Sequence, residues 1–236
     1  PVGTILFTGD FKMDFTPIDG DPTDIQRLAE LGKKGLLAVY ADSTNVERPG
    51  HSLSEKEVGD TFIRIFGQVS GRIIVATFAS NLHRVQQVIY AAEKYNRKVA
   101  LSGRSMLNNV KIASDLGYLK VKSNTLIDMK NIKSYADDEI VVLSTGTQGE
   151  PLSALTRMAN GEHKQIHLNE TDTVILSSSA IPGNEIAINN TINKLTKIGV
   201  NIIYASLAKV HASGHACQEE IKLMYQLTTP KYLLPA

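Results

Sequence analysis

The sequence predicts an α/β fold, a mostly parallel sheet flanked by helices. Three observations predict it. Short runs of Ile, Val and Leu recur without apolar/polar alternation, the pattern of strands buried on both faces. Segments with helical spacing lie between these runs, and the order strand, helix, strand implies right-handed crossovers. Nearly every apolar run also ends in Gly, Ser, Thr or Asp. In open parallel sheets, ligands gather at the carboxyl ends of strands.

Thr4–Phe7 is the first expected strand and is followed by Thr8-Gly9-Asp10. Leu36–Tyr40 is the second, ending in Asp42-Ser43-Thr44-Asn45. Ser54–Phe66 has the pattern of a helix, because Ser54 with Glu57 three residues on makes a capping-box signal. Ile73–Ala76 then leads into Thr77-Phe78-Ala79-Ser80-Asn81. Asn81 is placed to cap a helix running to Tyr95, with Leu82, Val85, Val88, Ile89 and Ala92 on one face. Lys98–Leu101 leads to Ser102-Gly103-Arg104, Ile140–Leu143 to Ser144-Thr145-Gly146, and Thr173–Leu176 to Ser177-Ser178-Ser179. A helix over Asn184–Ile198 carries Ile186, Ile188, Ile192, Leu195 and Ile198 and is closed by Gly199. Val200–Tyr204, a helix starting near Cys217, and a strand at Tyr232–Leu234 complete the set.

The length of 236 residues, 42% of them apolar, suits one large domain or two smaller ones. With 25 Lys and Arg against 24 Asp and Glu, the net charge of +1 gives no chain-wide basic signature, so any polyanion site must be local. No apolar run approaches the roughly 20 residues that cross a bilayer, and no membrane partner is expected. Cys217 is the one cysteine, which excludes an internal disulfide and a Cys-rich metal site. That usage suits a reducing compartment, and a cytoplasmic location is expected. Pro1 carries neither an initiator Met nor a secretory signal, and Lys231–Pro235 stops at a strand. A piece of a longer protein is therefore expected.

Several strand ends carry side chains suited to chemistry. Asp10 and Asp42 each follow a buried run, where an aspartate serves as a hard oxygen ligand for a divalent metal or simply closes a turn. In His211-Ala212-Ser213-Gly214-His215-Ala216, two histidines flank Ser-Gly just ahead of a helix. Backbone amides there, with Ser hydroxyl and imidazole donors, suit a phosphate oxygen. The alternatives are one core and one exposed histidine, or a zinc pair, which the Ser-Gly loop disfavours. Thr77–Asn81 with Arg84 offers hydroxyls, a stacking ring and a cation for phosphate. The Gly103-Arg104-Ser105, Gly146–Pro151 and Ser177–Asn184 loops are of the same kind. His51, His83, His163 and His167 lack a partner pattern and are expected to be surface or structural. No G-x-G-x-x-G follows the first strand, which disfavours a Rossmann-like nucleotide site.

Taken in order, Thr8–Lys12, Ala41–Asn45, Thr77–Asn81, Thr145–Glu150, Ile181–Asn184 and His211–His215 resemble the ribonuclease J family, in the β-CASP branch of the metallo-β-lactamase superfamily. The resemblance implies a partial metallo-β-lactamase core over 1–53, a β-CASP domain over 54–220 and a return segment over 221–236. It matches Asp10 to an aspartate bridging two zinc ions, Asp42 to the acidic residue of β-CASP motif A, and His215 to the motif B histidine near the leaving group. Ser80, Asn81, Arg84, Arg104, His211, Ser213, Gly214 and Ala216 fall where related enzymes hold RNA phosphates and the terminal nucleotide. The family's His-x-His-x-Asp-His motif would precede Pro1, and its motif C histidine would follow Ala236. Asp10 is thus expected to be the sole family metal ligand, in a piece that is inactive and retains no zinc alone. Asp42 and His215 are expected within hydrogen-bonding reach. The implied activity is zinc-dependent hydrolysis of single-stranded RNA, endonucleolytic and 5′-to-3′ exonucleolytic, in RNA decay and processing. The implied partners are single-stranded RNA and either further copies of the chain or a paralogue. The alternative is a catalytically weak paralogue acting as an RNA-binding or partner subunit.

Overall fold

Each aliphatic run singled out above forms a strand, and every strand pairing in the computed structural model is parallel. Residues 2–236 are described. In chain order the elements begin β1 (Ile5–Phe7), α1 (Ile25–Lys34), β2 (Ala38–Ala41), α2 (Glu55–Gln68), β3 (Ile73–Ala76), α3 (Leu82–Lys94), β4 (Lys98–Ser102) and α4 (Arg104–Asp115). They continue with β5 (Leu126–Ile127), two 3₁₀ turns (Met129–Ser134 and Asp137–Glu139), β6 (Ile140–Ser144) and α5 (Ala154–Ala159). The remainder are β7 (Thr173–Leu176), α6 (Glu185–Ile198), β8 (Asn201–Tyr204), α7 (Gln218–Thr228) and β9 (Tyr232–Pro235). Two units result: Pro1–Glu57 with Ala212–Ala236, and Val58–His211. The chain leaves the first unit within α2 and rejoins it at Ala212. From that point Ser213 and His215 bond to Asn45 and Asp42 of the first unit.

The first unit holds a three-stranded sheet in the order β1-β2-β9, with Phe7, Tyr40 and Leu234 in register. Met13, Leu36, Val39, Ala41 and Met224 form its core, with Leu28 and Leu31 of α1 packed on them. Ile5, Phe7, Tyr40 and Tyr232 are exposed, so the expectation of strands buried on both faces fails for β1 and β9. They are edge strands of a small sheet, and the helices cover one face.

The second unit is built on a six-stranded sheet, β5-β4-β6-β3-β7-β8. Its strands β3, β6 and β7 are buried throughout, as their unbroken aliphatic runs require. Ile74, Val142, Leu155, Met158, Ile166, Val174 and Leu195 belong to one core cluster there. Asn81 caps α3 by accepting from the Arg84 amide, and Gly199 ends α6 at φ +91°, both as expected. Ile186, expected on the buried stripe of α6, lies in its first turn and is 76% exposed. At the start of β3 and β7, Arg72 forks onto buried Asp172, Nε to Oδ1 at 3.1 Å and Nη2 to Oδ2 at 2.8 Å. Because every pairing is parallel, the small polar ends of β3, β4, β6 and β7 share one edge of this sheet. Among the described residues no helix is long and apolar enough to cross a membrane.

Candidate functional site

Parallel pairing of β1 with β2 delivers Asp10 and Asp42 to one rim of the first unit. The Asp42 amide donates to the Thr8 hydroxyl at 3.0 Å, fixing the two strand ends together. The Asp42 carboxylate then accepts from the Thr44 amide at 3.0 Å, the Phe11 amide at 3.4 Å and Nδ1 of His215 at 2.8 Å. The expected pair is thus formed across 173 residues of sequence. Burial pushes the Asp42 carboxyl up, but the amide and hydroxyl of Thr44 and the imidazole of His215 outweigh it and hold it below the usual aspartate value. An ionised carboxylate only accepts, so Nδ1 of His215 carries the proton and Nε2 is left for proton exchange with a ligand. The side chain of Asp42 is 5% exposed and that of His215 31%.

The loop bearing His215 is tied from below by Asn45. Its Nδ2 donates to Ser213 Oγ at 2.8 Å and to the His215 carbonyl at 3.2 Å. Ser213 Oγ accepts a second time from the His215 amide at 3.1 Å. Both of its lone pairs are then engaged, and its hydroxyl proton is the part left to serve an external acceptor such as a phosphate oxygen. Gly214 is exposed, whereas Ala216, expected at the phosphate site, is buried and faces the interior. Asn45 escaped attention as a site residue although it closes the Asp-Ser-Thr-Asn run, which was its signal.

Asp10, Asp42 and His215 offer metal-ligating atoms that all lie within 4.8 Å of one another. Asp10 is the residue expected to ligate metal, and the folded chain brings two more donor atoms beside it. Two carboxylates and an imidazole form a set that fits a divalent ion such as zinc.

The other expected residues belong to the second unit. Ser80 and Arg104 are exposed at the ends of β3 and β4, and Asn109 of α4 donates to the Ala79 carbonyl at 3.0 Å, holding the two loops together. Asn81 spends its carbonyl on the α3 cap. His211 is half-buried at the end of this unit. Arg84 departs from expectation: it is fully buried. Its guanidinium donates to the Val210 carbonyl at 2.8 Å, to the Ser177 hydroxyl and to Gln87 Oε1, and stacks over the Phe62 ring. It anchors the segment entering the His211 loop from inside and cannot reach an RNA phosphate there. His163, expected to be surface or structural, is a buried structural group. Its Nδ1 accepts from the amides of Gln165 and Ile166, so Nε2 donates to Ser102 Oγ and no base is available to that serine. Burial, with Arg157 and His167 nearby, holds its pKa below the usual value. Gln148 is a further tie that sequence reasoning missed, with Nε2 bonded to the Ser179 carbonyl and Oε1 to the Ile181 amide, both at 2.9 Å.

Comparison with known proteins shows the family. The family model described as ribonuclease J, beta-CASP domain, matches residues 70–195. The chain is 51% identical over 235 residues to ribonuclease J of Thermus thermophilus, covering 100% of this chain and 41% of that protein. It is 48% identical to ribonuclease J of Synechocystis over 100% of this chain and 37% of that protein, and 46% identical to ribonuclease J of Helicobacter pylori over 99% and 34%. The chain belongs to the ribonuclease J family. It spans 34–41% of the length of these ribonuclease J relatives. The β-CASP match falls inside the second unit, so Asp10, Asp42 and His215 lie outside the residues that the family model matches, though within the stretch aligned to the relatives.

Proposed function

We propose that this chain forms part of a ribonuclease that hydrolyses phosphodiesters of single-stranded RNA, both internally and from the 5′ end. The observation that carries the reading is the 2.8 Å contact between His215 Nδ1 and Asp42 Oδ2 with Asp10 beside it. Asp42 holds the imidazole in the tautomer whose Nε2 exchanges a proton with the departing oxygen. Asp10 would hold zinc, and the ion would supply a water acidic enough to be deprotonated at neutral pH. The hydroxyl of Ser213 serves a phosphate oxygen at the same rim, and Ser80 and Arg104 supply the second unit's own contacts to the strand.

In the full-length protein that contains this chain, one RNA presented as 5′-monophosphate, 5′-hydroxyl and circular forms tests this reading, with and without zinc after chelation. His215→Ala is expected to reduce turnover of all three far more than RNA affinity. Ser213→Ala is expected to slow the 5′-monophosphate form most, each lost contact of this type being worth about 1–3 kcal/mol. Equal slowing of all three forms by Ser213→Ala would remove the terminal-phosphate role. Binding of RNA without cleavage, whatever metal is supplied, would favour a non-catalytic RNA-binding subunit.

A further inference from the structure

Glu220, in the first turn of α7, is fully buried in the first unit and gathers four donors. Its Oε1 accepts from the Met13 amide and the Ser52 hydroxyl, each at 2.8 Å, and its Oε2 from the Ser52 amide at 2.6 Å and the Cys217 amide at 2.8 Å. These donors come from three different stretches of chain. Met13 lies three residues after Asp10, Ser52 ends the segment that starts at Asp42, and Cys217 lies two residues after His215. The same stretches are laced again where the Gln218 amide donates to the Arg48 carbonyl at 3.0 Å and the Glu219 amide to that of Gly50 at 3.1 Å.

We infer that Glu220 is the positioning residue that sets His215 against Asp42, by pinning to one carboxylate the three segments that carry Asp10, Asp42 and His215. The inference deepens the proposed RNA-cleaving function and rests on it for its catalytic consequence. Three of the converging donors are backbone amides that can only donate, at least one on each oxygen, and the Ser52 hydroxyl joins them, a set that an ionised carboxylate satisfies in full. A glutamine would turn its amino group toward at least one of these amides. Burial pushes the Glu220 carboxyl up, but the amides of Cys217, Ser52 and Met13 and the Ser52 hydroxyl more than offset it and hold it below the usual glutamate value. The nearest anchored atom is two residues from His215, so a small shift at Cys217 passes directly to a 2.8 Å contact with little tolerance.

The test is Glu220→Gln in the full-length protein that contains this chain, read by circular dichroism, by turnover and KM on single-stranded RNA, and by the nitrogen and proton NMR signals of the His215 imidazole. The expected result is a retained fold, an unchanged KM and a loss of about 10–100-fold in kcat, the range a displacement near 1 Å produces. The Nδ1–H signal of His215 is expected to lose its hydrogen-bonded position. A merely structural glutamate would leave that signal where it was, and an unaltered signal in the folded variant overturns the inference. Should the unsubstituted full-length protein cleave no RNA, the functional reading fails, while the imidazole signal still decides the role of Glu220. Should Glu220→Gln not fold, Ser52→Ala removes one of the four donors. A partial shift of the same signal is then expected, and no shift overturns the inference.

Discussion

The contact between Asp42 and His215 yields a coupling energy that a double-mutant cycle with Asp42→Asn and His215→Ala isolates. Geometry sets its size. A solvent-exposed ion pair contributes about 0.2–1 kcal/mol, whereas a hydrogen bond to a charged group contributes about 1.5–3 kcal/mol. At 2.8 Å, with one partner 5% and the other 31% exposed, the pair falls between these limits, so a coupling of about 1–2 kcal/mol is expected at pH 7. Denaturant unfolding of the four proteins, with equal slopes, supplies the number. The pH dependence follows from the direction of the Asp42 shift. Its carboxyl titrates below the ordinary value of 3.8, so the folded state binds its proton less readily than the unfolded state. The stabilisation is therefore complete above 3.8 and is lost as pH falls through the lower folded value. A coupling under about 0.5 kcal/mol at pH 7, within the range of an ordinary surface pair, would refute this account. So would a coupling that fades well above 3.8, because protonation of Asp42 would then not be its cause.

Two further predictions concern the second unit. Arg84→Ala removes a buried cation from the Val210 carbonyl, the Ser177 hydroxyl and the Phe62 ring. It is expected to cost about 3–5 kcal/mol of stability in denaturant unfolding while leaving the preference among 5′-monophosphate, 5′-hydroxyl and circular RNA unchanged; a selective loss of 5′-monophosphate digestion with normal stability would return Arg84 to the RNA site. Gly149 has φ +71°, and a Cβ there would lie 2.4 Å from the Ala187 backbone carbon, so Gly149→Ala is expected to cost upward of about 1–3 kcal/mol and to raise protease sensitivity at the β6–α5 loop. Wild-type protease resistance in that variant would contradict the close approach.

What the sequence made legible follows the strength of the local signal. The aliphatic runs of β3, β6 and β7 read cleanly because strands in the middle of a parallel sheet need apolar side chains on both faces. The helix α4 was hidden in a Gly-Arg-Ser loop because Gly103 provides no side-chain cap to mark its start. The two-residue edge strand β5 carries too little pattern to see. Pairing of Asp42 with His215 came from resemblance, since a separation of 173 residues holds no geometric information of its own. For Arg84 the decisive signal lies in its place on α3. It stands four residues before Val88 and seven before Ala91, on the stripe of α3 that faces the core. A cation on that stripe is a structural tie before it is a phosphate ligand. Glu220 gave only the local signal of an acidic third residue in α7, where it accepts from the Cys217 amide, because its other donors come from two distant segments.

The first unit places its chemistry on a small sheet whose edge strands are exposed and whose core is small. Packing of that extent cannot by itself hold three side chains to the tolerance that proton transfer needs. Polar ties take over the task, and they share one design, an ionised carboxylate that collects backbone amides. Asp42 takes the Thr44 amide, Glu220 those of Met13, Ser52 and Cys217, and Asp14 that of Thr16. In all three, burial opposes ionisation and the collected donors more than reverse it, leaving each carboxyl below its ordinary value. Each therefore stabilises the fold above that value and ceases to do so as acid protonates it. Because all three belong to the first unit, the arrangement of the site is coupled to charge at the same residues that hold its loops. Alignment of Asp42 and His215 therefore persists below the ordinary carboxylate range, and it is lost only when acid protonates the carboxylates that hold these loops.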